Sequence, residues 1–197
     1  MTNYFRMLRR NGSYRPRKPI RRVHQLSRSQ FASARHFTKF VLVRNPYYRV
    51  LSAFVEKNGR PGFDHFPGLI DLSPGGFATF LRYLASDGLH EDKHWAPIVN
   101  QLPWPIEEFD YVLHLENLTA EFAEMLHAEN LWLPSKKGVT EQHRVDKLRP
   151  GKLTASRDLA TRFYTPALAE LVAQLYREDF VLLGYSLEMV DASHESF

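Results

Sequence analysis

Apolar positions along the 197 residues fall into two rhythms. Residues 39–43 (KFVLV) form a short run rich in β-branched side chains, stopped by Arg44-Asn45-Pro46. That is the pattern of a buried strand ending in a tight turn. Pro46 suits the first turn of a helix, where its missing N–H costs no bond, and Val50, Leu51 and Phe54 then recur at helical spacing. The predicted unit is strand, turn, helix. Phe77, Phe80, Leu81 and Leu84 mark one face of a second helix. Residues 111–115 (YVLHL) are a second strand candidate, ending at Glu116, and residues 118–126 a further helix with Asn117 or Thr119 near its start. Thr165 caps and Pro166 opens another helix, whose stripe is Leu168, Leu171, Val172 and Leu175. Phe180 to Leu183 is one more short apolar run, stopped by Gly184. Residues 2–10 carry Tyr4, Phe5, Met7 and Leu8 on the apolar face of a short helix.

The stretches between these elements have their own character. Residues 58–76 are rich in Gly, Pro and Phe and predict a surface excursion. Prolines at 97, 103 and 105 keep the region after His94 irregular. Residues 132–154 are polar and basic without periodicity, which predicts a long functional loop or lid. No internal repeat is present. Short buried strands alternating with amphipathic helices argue for an α/β layered fold with a parallel sheet.

Composition narrows the class. The length suits one domain, residues 1–197, with a substantial core. No apolar run is long enough to span a bilayer, and the basic N-terminus lacks the apolar centre and cleavage site of a secretory signal. Cysteine is absent, which removes disulfides, thiolate metal sites and cysteine nucleophiles. A soluble protein of the bacterial cytoplasm fits this usage.

The net charge of +4 conceals an asymmetry. Residues 1–55 hold 13 Lys and Arg and no Asp or Glu; the remainder holds 13 basic and 22 acidic residues. Such a one-sided region attracts an anionic ligand, be it nucleotide, sulfated glycan or nucleic acid. Residues 12–36, with Pro16 and Pro19, read equally well as a flexible solvated arm. No familiar nucleic-acid motif is present and the remainder is acidic, so a nucleic-acid partner is not expected.

The segment Val43-Arg44-Asn45-Pro46-Tyr47-Tyr48-Arg49-Val50-Leu51-Ser52-Ala53-Phe54 resembles the 3′-phosphate-binding motif of carbohydrate sulfotransferases, of the chondroitin, dermatan and HNK-1 type. Two further stretches agree in order and spacing. Asp92-Lys93-His94-Trp95-Ala96-Pro97, followed by Phe109-Asp110-Tyr111 and Glu116-Asn117-Leu118, resembles the middle of that family. Tyr176-Arg177-Glu178-Asp179-Phe180 through Gly184-Tyr185 resembles its C-terminal signature.

The resemblance implies a P-loop-like nucleotide-binding fold, a central parallel sheet flanked by helices. It implies sulfuryl transfer from 3′-phosphoadenosine 5′-phosphosulfate (PAPS) to a hydroxyl of a glycan or glycolipid, without a metal. Contact with a membrane is expected only through such an acceptor. Arg44 and Ser52 are the candidate ligands of the 3′-phosphate. Arg44 stands at the carboxyl end of a strand, where open α/β sheets bind ligands, and its guanidinium matches a phosphate. Arg49 is a third candidate, with anchoring of its helix through an ion pair as the alternative. Asp179 and Tyr185 are expected to close the last helix onto the sheet. His94 is the candidate base, because a neutral imidazole can take a hydroxyl proton near pH 7. Asp92 is placed to orient it, although residues two apart on a helix face away from one another. His90 and Glu116 are the next candidates, and a packed, hydrogen-bonded role for His94 stays open.

Two departures accompany the resemblance. Where animal relatives carry paired cysteines, this chain reads Gln101-Leu102-Pro103-Trp104-Pro105. The family also begins with a strand and a lysine-bearing loop around the 5′-phosphosulfate, whereas residues 2–10 resemble the helix that follows. The expectation is a chain lacking its first strand and loop, impaired in transfer, with an unpaired sheet edge that favours self-association into a homo-oligomer.

Two other functions compete. A non-catalytic module could bind a polyanion or nucleotide through the basic first fifty-five residues. His90-Glu91-Asp92-Lys93-His94 also matches the His-Glu-x-x-His zinc hydrolase pattern, which needs both histidines on one helix face. Gly88 and Pro97 flank that segment closely and leave little room for such a helix.

Overall fold

The computed structural model describes residues 27–34, 36–58, 71–130 and 154–189. Strands β1 (Phe40–Val43) and β2 (Tyr111–His114) pair in parallel, Phe40 opposite Tyr111 and Val43 opposite His114. Around them lie helices α1 (Arg28–Ala34), α2 (Pro46–Asn58), α3 (Pro74–Ser86), α4 (Leu118–Ala128), α5 (Thr154–Phe163), α6 (Pro166–Leu175) and α7 (Arg177–Leu182). The described residues therefore form a mixed α/β fold, mostly helical, with a small parallel sheet.

Local chemistry explains where the elements begin. Asp110 accepts the backbone N–H of Lys39 at 2.6 Å, and the Asp110 and Tyr111 amides donate back to the Lys39 carbonyl. That exchange sets the register at the amino end of both strands. At the carboxyl end of β1, Asn45 accepts the Tyr47 N–H at 2.9 Å through its side chain, and Pro46 follows at the head of α2. Such a cap satisfies one of the orphan donors of a helix start. Ser73 and Thr165 cap α3 and α6 in the same way, each followed by proline. Gly76 is required in the first turn of α3, because a Cβ there would lie 1.9 Å from the Asp71 carbonyl oxygen.

The core sits between α2, α3, α5 and α6. Phe54, Phe77, Phe80 and Phe163 form one aromatic cluster, with ring centroids 5.3 to 6.4 Å apart. Phe80 meets the buried indole of Trp95 edge to face. Burial of each such ring contributes on the order of 1.5–3 kcal/mol. The core thus gathers the helix that follows β1 and the turn that carries Trp95.

Several sequence expectations shift. α3 begins at Pro74, so the excursion stops short of 76. Thr154 opens α5, which the polar reading of residues 132–154 had not extended into a helix. The apolar run at 180–183, left without an element by its pattern, lies mostly on α7. Residues 2–10, most of 12–36, and 132–153 lie outside the described residues. The end of that basic segment is described, as α1, whose Phe31 stacks on Trp104 with centroids 4.8 Å apart. Among the described residues no helix is long and apolar enough to cross a membrane.

Candidate active site

Parallel pairing releases the chain at the same sheet edge twice, after Val43 and after His114. Arg44 follows β1 and is half-buried there. Glu116 follows β2, and its two carboxylate oxygens accept from the Asn45 N–H at 3.0 Å and the Tyr185 hydroxyl at 2.9 Å. Burial lowers the Arg44 pKa below its ordinary value, while the Glu116 charge, followed by Tyr185 and Tyr48, pulls it back up. A guanidinium remains charged under such conditions. The edge therefore holds a partly desolvated cation beside a well-bonded carboxylate.

Ser52 lies on α2 about two turns beyond Arg44, half-buried on the stripe that Tyr48 and Val55 share. Arg49 points elsewhere. It is buried, and it donates to the backbone carbonyls of Ala96 (2.7 Å), Lys93 (3.1 Å) and Trp95 (3.5 Å). Burial lowers its pKa, against the raising influence of Tyr176 and Asp179. The guanidinium that the sequence offered to a phosphate is engaged with the segment carrying His94.

That segment is fixed from three further directions. The Tyr176 hydroxyl donates to the Trp95 carbonyl at 2.6 Å, and Asp179 accepts the Ile98 and Val99 amides at 2.8 and 3.0 Å. The Trp95 indole donates to the Gly88 carbonyl at 2.8 Å. Residues 88–99 are thus a defined turn system in spite of their proline and polar content. Asp179 acts at this turn, while Tyr185 meets Glu116 at the sheet edge.

Within the turn, Asp92 and His94 meet. One Asp92 oxygen accepts the His94 backbone N–H at 2.7 Å and faces Nδ1 of the ring at 2.5 Å. The face-away objection drawn from helical spacing does not apply, because residues 91–95 are turns beyond a single 3-10 turn at Gly88–His90. The same fact weakens the metalloprotease pattern, since His90 and His94 do not share a helix face. Among the described residues no group of three or more His, Asp or Glu side chains is arranged to hold a metal ion.

Burial lowers the His94 pKa from 6.5, Asp92 opposes that shift, and the charge of Lys57 assists it. Burial pushes the Asp92 carboxyl up, but the hydrogen bonds from the His94 backbone and ring outweigh it, so its pKa lies below 3.8. The result is an imidazole biased toward the neutral form, with Nδ1 directed to a carboxylate. In that arrangement Nε2 carries the basic lone pair. Lys57, buried in the last turn of α2, acts by charge on both residues. Sequence reading passed over it; the available signal was its place two helical turns beyond Arg49 on the same helix.

Helix α2 thus links two centres, Arg44 at its head and the Asp92–His94 pair held along its flank by Arg49. The chain matches the model of a family described as the sulfotransferase family over residues 2–186. It is 29% identical over 180 residues to carbohydrate sulfotransferase 14 of Mus musculus, an alignment covering 81% of this chain. It spans 46% of that relative's length, somewhat less than half. No solved structure matches the chain. From the family match over nearly its whole length, this chain belongs to the sulfotransferase family.

Proposed function

We propose that this protein transfers a sulfuryl group from PAPS to a hydroxyl of a carbohydrate or glycolipid acceptor. The observation that carries this reading is the carboxylate-oriented, neutral-biased His94, tied through Arg49 to the helix whose head carries Arg44. The residues present fit the donor. Arg44 is a partly desolvated cation at the carboxyl edge of a parallel sheet, and an anionic phosphate would offset the cost of its burial. Ser52 supplies a hydroxyl from α2, the helix that begins just after Arg44. When bound, PAPS supplies an activated sulfuryl group and an adenosine 3′,5′-bisphosphate leaving group.

The chain's own part is binding and proton transfer. Arg44 and Ser52 hold the 3′-phosphate. His94 receives the acceptor hydroxyl proton at Nε2, and Asp92 holds the opposite ring nitrogen, so the imidazolium that forms keeps its counter-charge. Arg49 serves this reaction by holding residues 93–96 in place rather than by touching nucleotide. A carbohydrate acceptor accords with the name of the mouse relative, carbohydrate sulfotransferase 14. Cytoplasmic residence, with membrane contact only through a lipid-linked acceptor, belongs to the same proposal.

Calorimetry with adenosine 3′,5′-bisphosphate tests the nucleotide half. Arg44→Ala and Ser52→Ala should each weaken binding, Arg44→Ala by about 1.5–3 kcal/mol, the range for a charge-assisted hydrogen bond. Equal affinity for adenosine 5′-monophosphate would overturn the 3′-phosphate assignment. Release of labelled sulfate to a panel of oligosaccharides tests the transfer itself.

A further inference from the structure

Glu116 stands in an unexpected place for a site that is to hold phosphate. A carboxylate beside a phosphate-binding arginine repels the ligand and competes for the cation. Yet Glu116 is built in firmly. The parallel register brings the end of β2 alongside the end of β1, and the two oxygens of Glu116 are engaged separately. Oε1 accepts the Asn45 N–H at 3.0 Å, and Oε2 accepts the Tyr185 hydroxyl at 2.9 Å. Tyr185 is itself fixed: its backbone N–H donates to the Phe180 carbonyl, and its ring packs edge to face on His114. His114 in turn engages Glu121 through Nδ1 and the Leu183 carbonyl through Nε2 at 2.9 Å. Gly184, at φ +75°, makes the turn that aims Tyr185 back at the sheet edge.

We propose that Glu116 is an internal anion that competes with phosphate for Arg44, and that Tyr185 limits this competition by holding one of its oxygens. This rests on Arg44 being the phosphate ligand. Both are positioning residues: they set how tightly Arg44 binds and how readily a spent nucleotide leaves. The hydroxyl of Tyr185 disperses the carboxylate charge, and removing it leaves the whole charge of Glu116 to act on Arg44. The C-terminal Gly184-Tyr185 ending is thereby a component that tunes the nucleotide site.

The test is a double-mutant cycle on the full chain, read by the Kd for adenosine 3′,5′-bisphosphate alongside thermal unfolding. Glu116→Gln should tighten binding, by about three- to tenfold, since it removes a competing charge. Tyr185→Phe should weaken binding by a similar factor. In the double variant the Tyr185→Phe penalty should vanish, because there is no longer a carboxylate to release. A merely structural role cannot produce tighter binding together with an unchanged or lowered Tm. Weaker binding by Glu116→Gln at unchanged Tm would overturn the proposal and make Glu116 a support of Arg44. A Tyr185→Phe penalty that persists in the double variant would equally overturn it. Wild-type binding that ignores Arg44→Ala would instead refute the nucleotide-site reading beneath it, so the two failures are separable.

Discussion

Asp92 engages both the backbone N–H and the ring Nδ1 of His94 through a single carboxylate oxygen, although only one residue separates them. A turn permits what a helix forbids, and it fixes the tautomer of the ring. Because burial lowers the His94 pKa from 6.5, the acidic limb of kcat/KM should lie below pH 6.5. Asp92→Ala should move that limb to still lower pH, since Asp92 raises the histidine pKa, and should lower turnover as the tautomer is freed. His94→Ala should cost about 10²- to 10⁴-fold in turnover with donor affinity largely kept. The same shift carries a stability sign. Below pH 6.5 the unfolded chain gains a proton that folded His94 still refuses, so stability should fall as pH drops from 6.5 toward the folded pKa. His94→Gln should flatten that slope in urea titrations run across the interval.

Lys57 acts on the same pair with the opposite sign. Its charge depresses the pKa of both His94 and Asp92. Lys57→Met removes that charge while keeping much of the buried stem. The acidic limb of the activity profile should then move up in pH, opposite to the effect of Asp92→Ala. A chemical-shift titration of the His94 ring measures both displacements without depending on turnover. Parallel movement in the two variants would show that Lys57 does not act through charge.

Arg49 supports three carbonyls of residues 93–96 from a buried position. Arg49→Ala leaves those acceptors unsatisfied and strips Asp179 of a nearby cation, at a cost of about 3–5 kcal/mol. Arg49→Lys keeps the charge but not the planar fork, and should fall between wild type and alanine. In Arg49→Lys, turnover should fall more than bisphosphate affinity does. Affinity falling as steeply as in Arg44→Ala would make Arg49 a phosphate ligand instead.

Much of this arrangement is legible in the sequence, for reasons that are local. The run KFVLV before Arg44-Asn45-Pro46 and the stripe of Phe77, Phe80, Leu81 and Leu84 are periodic enough to define β1, the head of α2 and the buried face of α3. Thr165-Pro166 is an equally local signal, and the cap is present. α5 escaped because, among its described side chains, the apolar ones packed on the core are Leu159, Ala160 and Phe163, too few to mark a stripe. The Asp92–His94 pairing was legible, but helical spacing, the wrong geometry for residues 91–95, argued against it. Long-range partners left no periodic trace at all: Asp179 reaches Ile98 and Val99 from about eighty positions away. A stretch of prolines and polar residues looks irregular until the side chains that hold it are known.

Asp179 provides the sharpest test of that turn system. It is fully buried, and it accepts the Ile98 and Val99 amides with separate oxygens. Burial raises its pKa from 3.8, while those two amides and the Arg49 charge restrain the rise. Asp179→Ala orphans both amides and leaves Arg49 without its neighbouring anion, so it should destabilise by about 3–5 kcal/mol. Asp179→Asn retains one acceptor, turns a donor toward the other amide, and should cost less. The pH dependence separates charge from shape. Since the folded pKa lies above the unfolded value of 3.8, the folded chain binds a proton there that the unfolded chain releases. The contribution of Asp179 is therefore largest below pH 3.8 and declines as pH rises through the folded value. The stability advantage of wild type over Asp179→Asn should accordingly shrink with rising pH. Parallel urea-denaturation series at stepped pH measure that gap directly. A gap that widens with pH would mean that the ionised carboxylate, supported by Arg49 and the two amides, is worth more in the fold than its burial costs.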